Sequence, residues 1–234
     1  MIPIGDWVLH EACRQVQAWQ TQFPAFSQLP VSVNVTSKQF SQLHLSGSIS
    51  HALGASSLNA SSLKLEITET CLLENTASAT ATLSKLGALG IQLVIDDFGT
   101  GYSSLSYLHR FPVSGLKIDH SFVNRMENKG TPETLCERIY KAQGARPPGV
   151  ASSIIQAIVT LAHSLGMEVT AEGVETAQQL LQLKHLGCEQ GQGYFFSQPV
   201  TSEVAEALLA ANQLGEISPS RQGLVLSALS CHAA

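Results

Sequence analysis

The stretch IQLVIDDFGTG occupies residues 91–101 and decides the fold class of this chain. An apolar run of strand-forming residues leads into two adjacent carboxylates, Asp96 and Asp97, and then into a turn that contains two glycines. Successive strand residues point to opposite faces of a sheet, so two neighbours reach one site only where the strand ends and the backbone turns. We therefore expect a strand that ends in a pair of acidic site residues.

Strand-like runs recur on both sides of this stretch, and amphipathic segments alternate with them. Six strands are predicted, at residues 31–35, 63–68, 91–98, 115–119, 168–174 and 192–196. Repeated alternation of strands and helices predicts parallel strands with right-handed crossovers, and hence the α/β class. Polar residues near the end of nearly every strand favour a modified (β/α) barrel of the TIM type over an open sheet. Such a barrel has eight strands, so we expect it to be incomplete at its N-terminal side, with about six βα units present.

The predicted barrel extends over residues 1–212, and two segments fall outside the alternation. Residues 127–150 form a long polar connection beside the strand ends, for which a lid, an interaction loop and a disordered insertion all stay open. Residues 213–234 are predicted to be a disordered tail.

Composition limits the partners and the compartment. The chain has 234 residues, of which 44% are hydrophobic, and its 13 basic and 18 acidic side chains give a net charge of −5. The absence of a basic stripe argues against a nucleic-acid duplex as partner, whereas a small phosphorylated ligand stays compatible because metal ions supply local positive charge. Five scattered cysteines, no signal-peptide pattern and no apolar run of about 20 residues predict a cytoplasmic chain without a membrane span.

Acidic, amide and amine side chains stand in or directly after these apolar strands. Burying so many unpaired charges is costly, and Lys117 alone cannot neutralise them. Bound divalent cations can, and a ligand set made only of oxygens points to Mg²⁺, Mn²⁺ or Ca²⁺ rather than zinc. Two such ions about 3.5–4 Å apart suit an in-line phosphoryl displacement. The residues concerned are Asn34, Glu66, Glu69, Asp96, Asp97, Lys117, Asp119, Glu172 and Glu175.

Several of these residues also have a structural interpretation when each is taken alone. Asn34 suits a turn, Asp96-Asp97 could cap the following helix, and Lys117 could be the ion-pair partner of a neighbouring acid. Glu175 fits the N-terminal turn of a helix better than a ligand role. Their common position at the strand ends of one predicted barrel weakens these separate interpretations.

Six motifs together resemble the EAL family of cyclic di-GMP phosphodiesterases, in order and in spacing. They are NVTSKQF, LEITET, DDFGTGYSSLSYL, LKIDHSFV, LAHSLGMEVTAEGVET and QGYFFSQP, and the resemblance covers about residues 2–211. It implies a modified βα barrel that hydrolyses cyclic di-GMP to the linear dinucleotide pGpG in bacterial second-messenger signalling. It also implies two Mg²⁺ or Mn²⁺ ions in each active site and a homodimer that forms through the loop after Asp97.

The resemblance also implies a role for each matching residue of this chain. Lys117 would orient and activate the attacking water, and Glu69 would steady the DDFGTG loop. Gln192 would touch the water or the substrate, and Asp119 would touch the substrate. Glu172 would act as the base or complete the metal site, whose ligands would be Asn34, Glu66, Asp96 and Asp97.

Two features depart from the family pattern. The signature Glu-Ala-Leu motif, whose glutamate binds metal in the family, lies on a strand ahead of the helix with which this chain opens, and is missing there. The family's Ser-Arg-Pro motif reads Ser197-Gln198-Pro199, which removes a positive charge. A catalytically inactive cyclic di-GMP receptor or protein-interaction module, and a fragment without stable function, therefore stay open beside the phosphodiesterase.

Overall fold

The computed structural model describes residues 2–42, 44–73, 76–100, 108–126 and 150–213. The predicted connection at 127–150 and the predicted tail at 213–234 lie outside these ranges, except for Val150 and Gln213. The helices are α1 (Ile2–Gln22), α2 (Ser37–Phe40), α3 (Leu45–Ser56), α4 (Glu69–Leu73), α5 (Thr76–Ala88), α6 (His120–Asn124), α7 (Val150–Ser164), α8 (Ala177–His185) and α9 (Ser202–Gln213). The strands are β1 (Val31–Val35), β2 (Leu63–Thr68), β3 (Gln92–Phe98), β4 (Gly115–Ile118), β5 (Glu168–Ala171) and β6 (Gln190–Gly191).

The six strands form one parallel sheet in sequence order, from β1 at one edge to β6 at the other. In the described residues, helices lie between β1 and β2, between β2 and β3, between β4 and β5 and between β5 and β6, as parallel pairing requires. The predicted α/β class and the barrel-like arrangement of six strands are therefore confirmed. Among the described strands, β1 and β6 each have a single neighbour.

Strand alternation separates an apolar face of the sheet from a polar one. In β1, Val31, Val33 and Val35 are buried in the main core, and the two residues between them are only partly buried. The register places Asn34 beside Glu66. Each further pair of neighbouring strands is aligned in the same way, so the polar face continues across the sheet. The residues on this polar face include Asn34, Glu66, Asp96, Lys117 and Thr170.

The apolar face is covered by helices that bury one side each. In α7, Ile155, Val159 and Ala162 recur at helical spacing and are almost completely buried. Burial of a side chain such as Ile155 stabilises the fold by about 1.5–3 kcal/mol relative to its exposure. This core holds the strands in a fixed register, which in turn fixes the positions of the polar side chains at their carboxyl ends.

The position of the last strand was predicted wrongly. Residues 192–196 were expected to be a strand, but β6 consists of Gln190 and Gly191 alone. The next residues turn, because Gly193 has φ +154° and the Phe196 amide donates to the Gly193 carbonyl at 3.0 Å. Tyr194 is consequently 64% exposed. In the described part of the chain, no helix is both long enough and apolar enough to span a bilayer.

Candidate metal centre

Lys117 lies at the centre of a buried ionic cluster on the polar face of the sheet. Its side chain is 3% exposed, and Nζ donates to Glu66 Oε2 at 2.7 Å. The same Nζ lies 2.5 Å from Glu172 Oε1 and 3.4 Å from Asp96 Oδ1. Burial works to lower the pKa of Lys117, but the three carboxylates together hold it above its ordinary value. The lysine is therefore a fixed positive charge at neutral pH.

Glu172 follows the last residue of β5 and is held by the neighbouring strand, because its amide donates to the Ile118 carbonyl at 3.1 Å. Burial raises the pKa of this carboxyl above its ordinary value, although Lys117 acts in the opposite direction. The negative charges of Asp96 and Glu66 add to the increase. A buried carboxylate with a raised pKa accepts a proton more readily than an exposed one, which suits a general base.

Asp96 and Asp97 reach the same site because β3 is irregular at its end. The register with β4 shifts between Ile95 and Phe98, and Asp97 has φ 53°, in the left-handed region. The Asp97 amide also donates to Asp96 Oδ1 at 3.0 Å, which stabilises the turn. Carboxylate oxygens of Asp96, Asp97 and Glu172 consequently lie within 4.8 Å of one another.

These three carboxylates fit a divalent cation. Burial raises the pKa of Asp97, and the charges of Asp96 and Asp119 raise it further. The charges of Lys117 and His120 act in the opposite direction and do not cancel this increase. Closely spaced, partly buried carboxylate oxygens are the donors that Mg²⁺, Mn²⁺ and Ca²⁺ prefer. The roles of Asp96, Asp97 and Glu172 as metal ligands stay predictions.

Asn34 and Glu66 extend the cluster toward the β1 edge. They are register partners on adjacent strands, so their side chains lie on the same face of the sheet. Glu66 is almost completely buried, and its contact with Lys117 supplies the partner that a carboxylate in mid-strand requires. Asn34 is half-buried. The predicted ligand roles of both residues are compatible with these positions and stay predictions.

Glu69 lies behind the cluster, at the first position of α4. Its carboxylate is buried, and Oε2 accepts a hydrogen bond from the Gly99 amide at 3.1 Å. Gly99 has φ +94°, so this bond holds a backbone turn that other residues adopt with strain. The contact is of the kind expected for a residue that steadies the turn after Asp97. The loop beyond it, residues 101–107, lies outside the described residues.

Asp119 and Gln192 were predicted to contact substrate. Asp119 caps the short helix α6, since its Oδ1 accepts from the Ser121 amide at 3.0 Å. Its Oδ2 lies 2.9 Å from His120 Nδ1. Burial alone would raise the pKa of Asp119, but these bonds to Ser121 and His120 bring it below its ordinary value. Both carboxylate oxygens thus contact the chain itself, and the substrate-binding role stays a prediction.

Gln192 follows β6 at the same end of the sheet. Its amide donates to the Ala171 carbonyl at 2.8 Å, and its carbonyl accepts from the Val174 amide at 3.0 Å. This backbone pairing places Gln192 opposite the segment that contains Glu172. Glu175 lies just before the N-cap Thr176 of α8, and its amide donates to Gln179, in line with the structural interpretation given to it. The roles predicted for Gln192 remain predictions.

A comparison with known protein families places the chain. The model of the EAL domain family matches residues 1–145 and 148–199, which is most of the sequence. The chain belongs to the EAL-domain family. The resemblance inferred from the six motifs is thereby confirmed.

Relatives of this EAL domain include two proteins of Pseudomonas aeruginosa. The bifunctional diguanylate cyclase/cyclic di-GMP phosphodiesterase MucR is 37% identical over 211 residues, which are 90% of this chain and 27% of MucR. The cyclic di-GMP phosphodiesterase NbdA is 37% identical over 218 residues, which are 93% of this chain and 25% of NbdA. The EAL domain thus spans about a quarter of the length of these curated relatives.

Solved structures of the family have the same fold. The MucR phosphodiesterase in complex with cyclic di-GMP matches with a TM-score of 0.73 and 37% identity, over 87% of this chain and 74% of that one. The EAL domain of Mycobacterium smegmatis DcpA matches with a TM-score of 0.73 and 33% identity, over 88% of this chain and 83% of that one.

A Glu-Ala-Leu tripeptide does occur in this EAL domain, at residues 206–208, but in a different structural setting. It lies in α9, where Glu206 Oε1 accepts from Gln22 Nε2 of α1 at 2.7 Å. These residues join two helices and are not part of a strand of the sheet. The tripeptide is therefore a coincidence of sequence, and Glu206 is not a member of the ionic cluster.

His120 is a residue of the site region that the sequence did not single out. It follows the strand-end Asp119 directly, and its ring is 63% exposed while Nδ1 contacts the buried Asp119 carboxylate. Its Cβ packs so closely on Gly173 that a Cβ added there would lie 2.6 Å away. The sequence feature that could have indicated His120 is a titratable side chain directly after an acid at a strand end, within the motif LKIDHSFV.

Proposed function

We propose that this EAL domain is a metal-dependent phosphodiesterase that hydrolyses cyclic di-GMP to pGpG. The observation that carries the proposal is the cluster of Asp96, Asp97 and Glu172 carboxylates beside Lys117 at the carboxyl ends of parallel strands. Its support from relatives is that MucR and NbdA, each 37% identical, are named for this activity.

The metal is proposed to be Mg²⁺ or Mn²⁺, with two ions in each site. Klebsiella pneumoniae BlrP1, 26–27% identical, has been solved in complexes with cyclic di-GMP and calcium or manganese. Two divalent ions would supply Lewis acidity to the phosphodiester and to the attacking water. In this chain the residues proposed to hold them are Asn34, Glu66, Asp96 and Asp97, and Glu172 would either complete this set or act as the base.

The roles proposed for the other residues follow from charge and position. Glu172, whose pKa is raised by burial, would accept the proton of the attacking water. Lys117 would stay protonated and orient that water, since three carboxylates hold its ammonium group in place. Glu69 would keep the turn at Gly99 in position, which fixes the direction of the Asp97 carboxylate.

Further proposals concern the ligand, the oligomeric state and the cellular location of the chain. Cyclic di-GMP is the proposed ligand, and a nucleic-acid duplex is not expected with a net charge of −5. A homodimer through the loop after Asp97 remains a proposal, because that loop lies largely outside the described residues. A cytoplasmic location is proposed from the reduced state of the described cysteines, which are Cys13, Cys71 and Cys188.

The test is direct hydrolysis by the purified chain. With Mn²⁺ or Mg²⁺ and cyclic di-GMP, chromatography should show pGpG, and EDTA should stop its formation. Asp96→Asn should reduce the rate to that of the EDTA control, whereas Asp6→Asn on α1, outside the cluster, should leave it unchanged. If a folded, Mn²⁺-loaded chain forms no pGpG, the phosphodiesterase proposal is wrong.

A non-catalytic cyclic di-GMP receptor is the second candidate. The observation that favours it is Ser197-Gln198-Pro199, where the family pattern has an arginine. Calorimetry that detects cyclic di-GMP binding, together with no pGpG after prolonged incubation with Mn²⁺, would favour the receptor. A cooperative thermal unfolding transition in either case would argue against a fragment without stable function.

A further inference from the structure

Asp119 and His120 form a carboxylate–imidazole pair beside the proposed metal centre. The Asp119 side chain is buried, and its Oδ2 lies 2.9 Å from His120 Nδ1. Asp119 is itself fixed, since its other oxygen accepts from the Ser121 amide. A buried, hydrogen-bonded carboxylate that receives Nδ1–H determines the tautomer and the orientation of the imidazole. The other ring nitrogen, Nε2, is then left for a ligand.

The backbone places His120 beside the segment that carries Glu172. His120 follows β4 at the carboxyl end of the sheet, and its Cα and Cβ pack against Gly173. Gly173 directly follows Glu172, the carboxylate that contacts Lys117. Burial raises the pKa of Asp97, and the charges of Lys117 and His120 act in the opposite direction. With 63% of its side chain exposed, the imidazole is accessible to a ligand.

A proton donor would assist the departure of the leaving oxygen in the proposed reaction, and the carboxylates of the cluster do not supply one. When cyclic di-GMP is opened to pGpG, the bond from phosphorus to a ribose 3′-oxygen breaks, and that oxygen leaves as an alkoxide unless it is protonated. Lys117 is surrounded by three carboxylates, and the acids that bind metal must be ionised. Among the described residues next to the cluster, His120 is the side chain suited to proton transfer near neutral pH.

We propose that His120 is a catalytic residue that donates the Nε2 proton to the departing 3′-oxygen, with Asp119 as its positioning residue. This inference rests on the proposed phosphodiesterase function. In the step, water oxygen bonds to phosphorus as the phosphorus–O3′ bond breaks, and the electron pair of that bond goes to O3′. The water proton passes to Glu172, and the Nε2 proton passes to O3′. Glu172 then releases its proton to solvent, and the neutral imidazole regains one from solvent. The atoms and charges balance without a further reactant.

The test compares two substrates whose leaving groups differ in their need for a proton. Cyclic di-GMP releases a ribose alkoxide, whereas bis(4-nitrophenyl) phosphate releases a phenolate that departs as a stable anion. His120→Asn keeps a donor near the Nδ1 position for Asp119 and removes Nε2. His120→Gln places a neutral amide near the Nε2 position, so it can donate a hydrogen bond and cannot transfer a proton.

For both variants we expect kcat for cyclic di-GMP to fall about 10²-fold, the lower end of the range for general acid catalysis, with little change in KM. The kcat for bis(4-nitrophenyl) phosphate should stay within about twofold of the wild type, because its leaving group needs no proton. His185→Gln, at the exposed end of α8, is the matched control and should behave as wild type with both substrates.

Three results would overturn the inference, each with a wild type that makes pGpG. They are an equal loss of kcat with both substrates, a change in KM alone, and retention of cyclic di-GMP kcat by His120→Gln. Retention of kcat by His120→Gln would show that His120 acts as a hydrogen-bond donor and not as an acid. This result needs only the assay with cyclic di-GMP. A wild type that makes no pGpG would instead refute the proposed function. Circular dichroism and thermal unfolding establish that each variant is folded.

Discussion

Replacement of Lys117 by methionine should destabilise the metal-free protein strongly. The ammonium group is 3% exposed and lies 2.7 Å from Glu66, 2.5 Å from Glu172 and 3.4 Å from Asp96. Methionine has a similar length and no charge, so Lys117→Met leaves three buried or nearly buried carboxylates without their shared cation. Removal of one partner from a buried ion pair costs about 3–5 kcal/mol, because the remaining charge is neither solvated nor paired.

The magnitude is measured as the free energy of unfolding in urea, with EDTA present and at neutral pH. We expect Lys117→Met to lower it by about 3–5 kcal/mol, a large share of the total stability of a domain. Lys64→Met, on the same face of the sheet but in a partly exposed position, is the control and should change it by less than about 1 kcal/mol.

Two further measurements separate electrostatics from packing. Mn²⁺ should restore more stability to Lys117→Met than to the wild type, because the ion replaces the lost positive charge. The deficit should also shrink as the pH falls. Without Lys117 the buried acids have raised pKa values in the folded state, so the folded state binds more protons than the unfolded one and is stabilised by acid. A loss of less than 1 kcal/mol, or one independent of pH and Mn²⁺, would refute the role of Lys117 as the shared counter-charge.

Two other substitutions test the site and its support. Asp97→Asn should raise the melting temperature of the EDTA-treated protein at neutral pH. The pKa of Asp97 in the folded state lies above its ordinary value of 3.8, so ionisation of Asp97 at higher pH destabilises the fold. Asparagine removes this ionisation. Asparagine also tolerates the left-handed φ of 53° at this position. An unchanged or lower melting temperature would contradict the raised pKa of Asp97. Gly193→Ala should lose about 2–4 kcal/mol in urea unfolding, since its Cβ would lie 2.3 Å from backbone atoms of Val174. Gly166→Ala is the control with open space, where only left-handed strain of about 1–2 kcal/mol applies, and equal losses would contradict the clash.

Much of the fold was predictable because strand–helix alternation and buried strands have a clear periodic signature. The boundaries of β1 and β2 were predicted correctly, and each is rich in β-branched or other apolar residues. The last strand was misplaced because its aromatic residues have high strand propensity, while the actual pairing ends at Gly191. What decides the outcome is the backbone of Gly193, whose φ of +154° and close packing on Val174 start a turn. Such tertiary contacts are not visible in local propensity.

The composition of the site was more predictable than its connections. Strand-end positions indicated that Asp96, Asp97 and Glu172 would meet, since parallel strands end at the same edge. That Lys117 would touch three carboxylates at once depends on strand order and register, which residue types do not determine. The contact of Asp119 with His120 was not predicted, because it depends on how the chain turns into α6.

The ionic cluster shows a conflict between stability and function. Burial holds the pKa of both Asp97 and Glu172 above ordinary values, so each carboxylate destabilises the metal-free fold when it ionises. Asp97 adds the strain of a left-handed backbone at the end of β3. Groups arranged only for stability would avoid all three costs, and Lys117 offsets them only in part. Unfavourable charge and strain that persist beside a well-packed core are expected where a ligand supplies the missing positive charge. Independently of any relative, these costs favour a divalent cation between Asp96, Asp97 and Glu172.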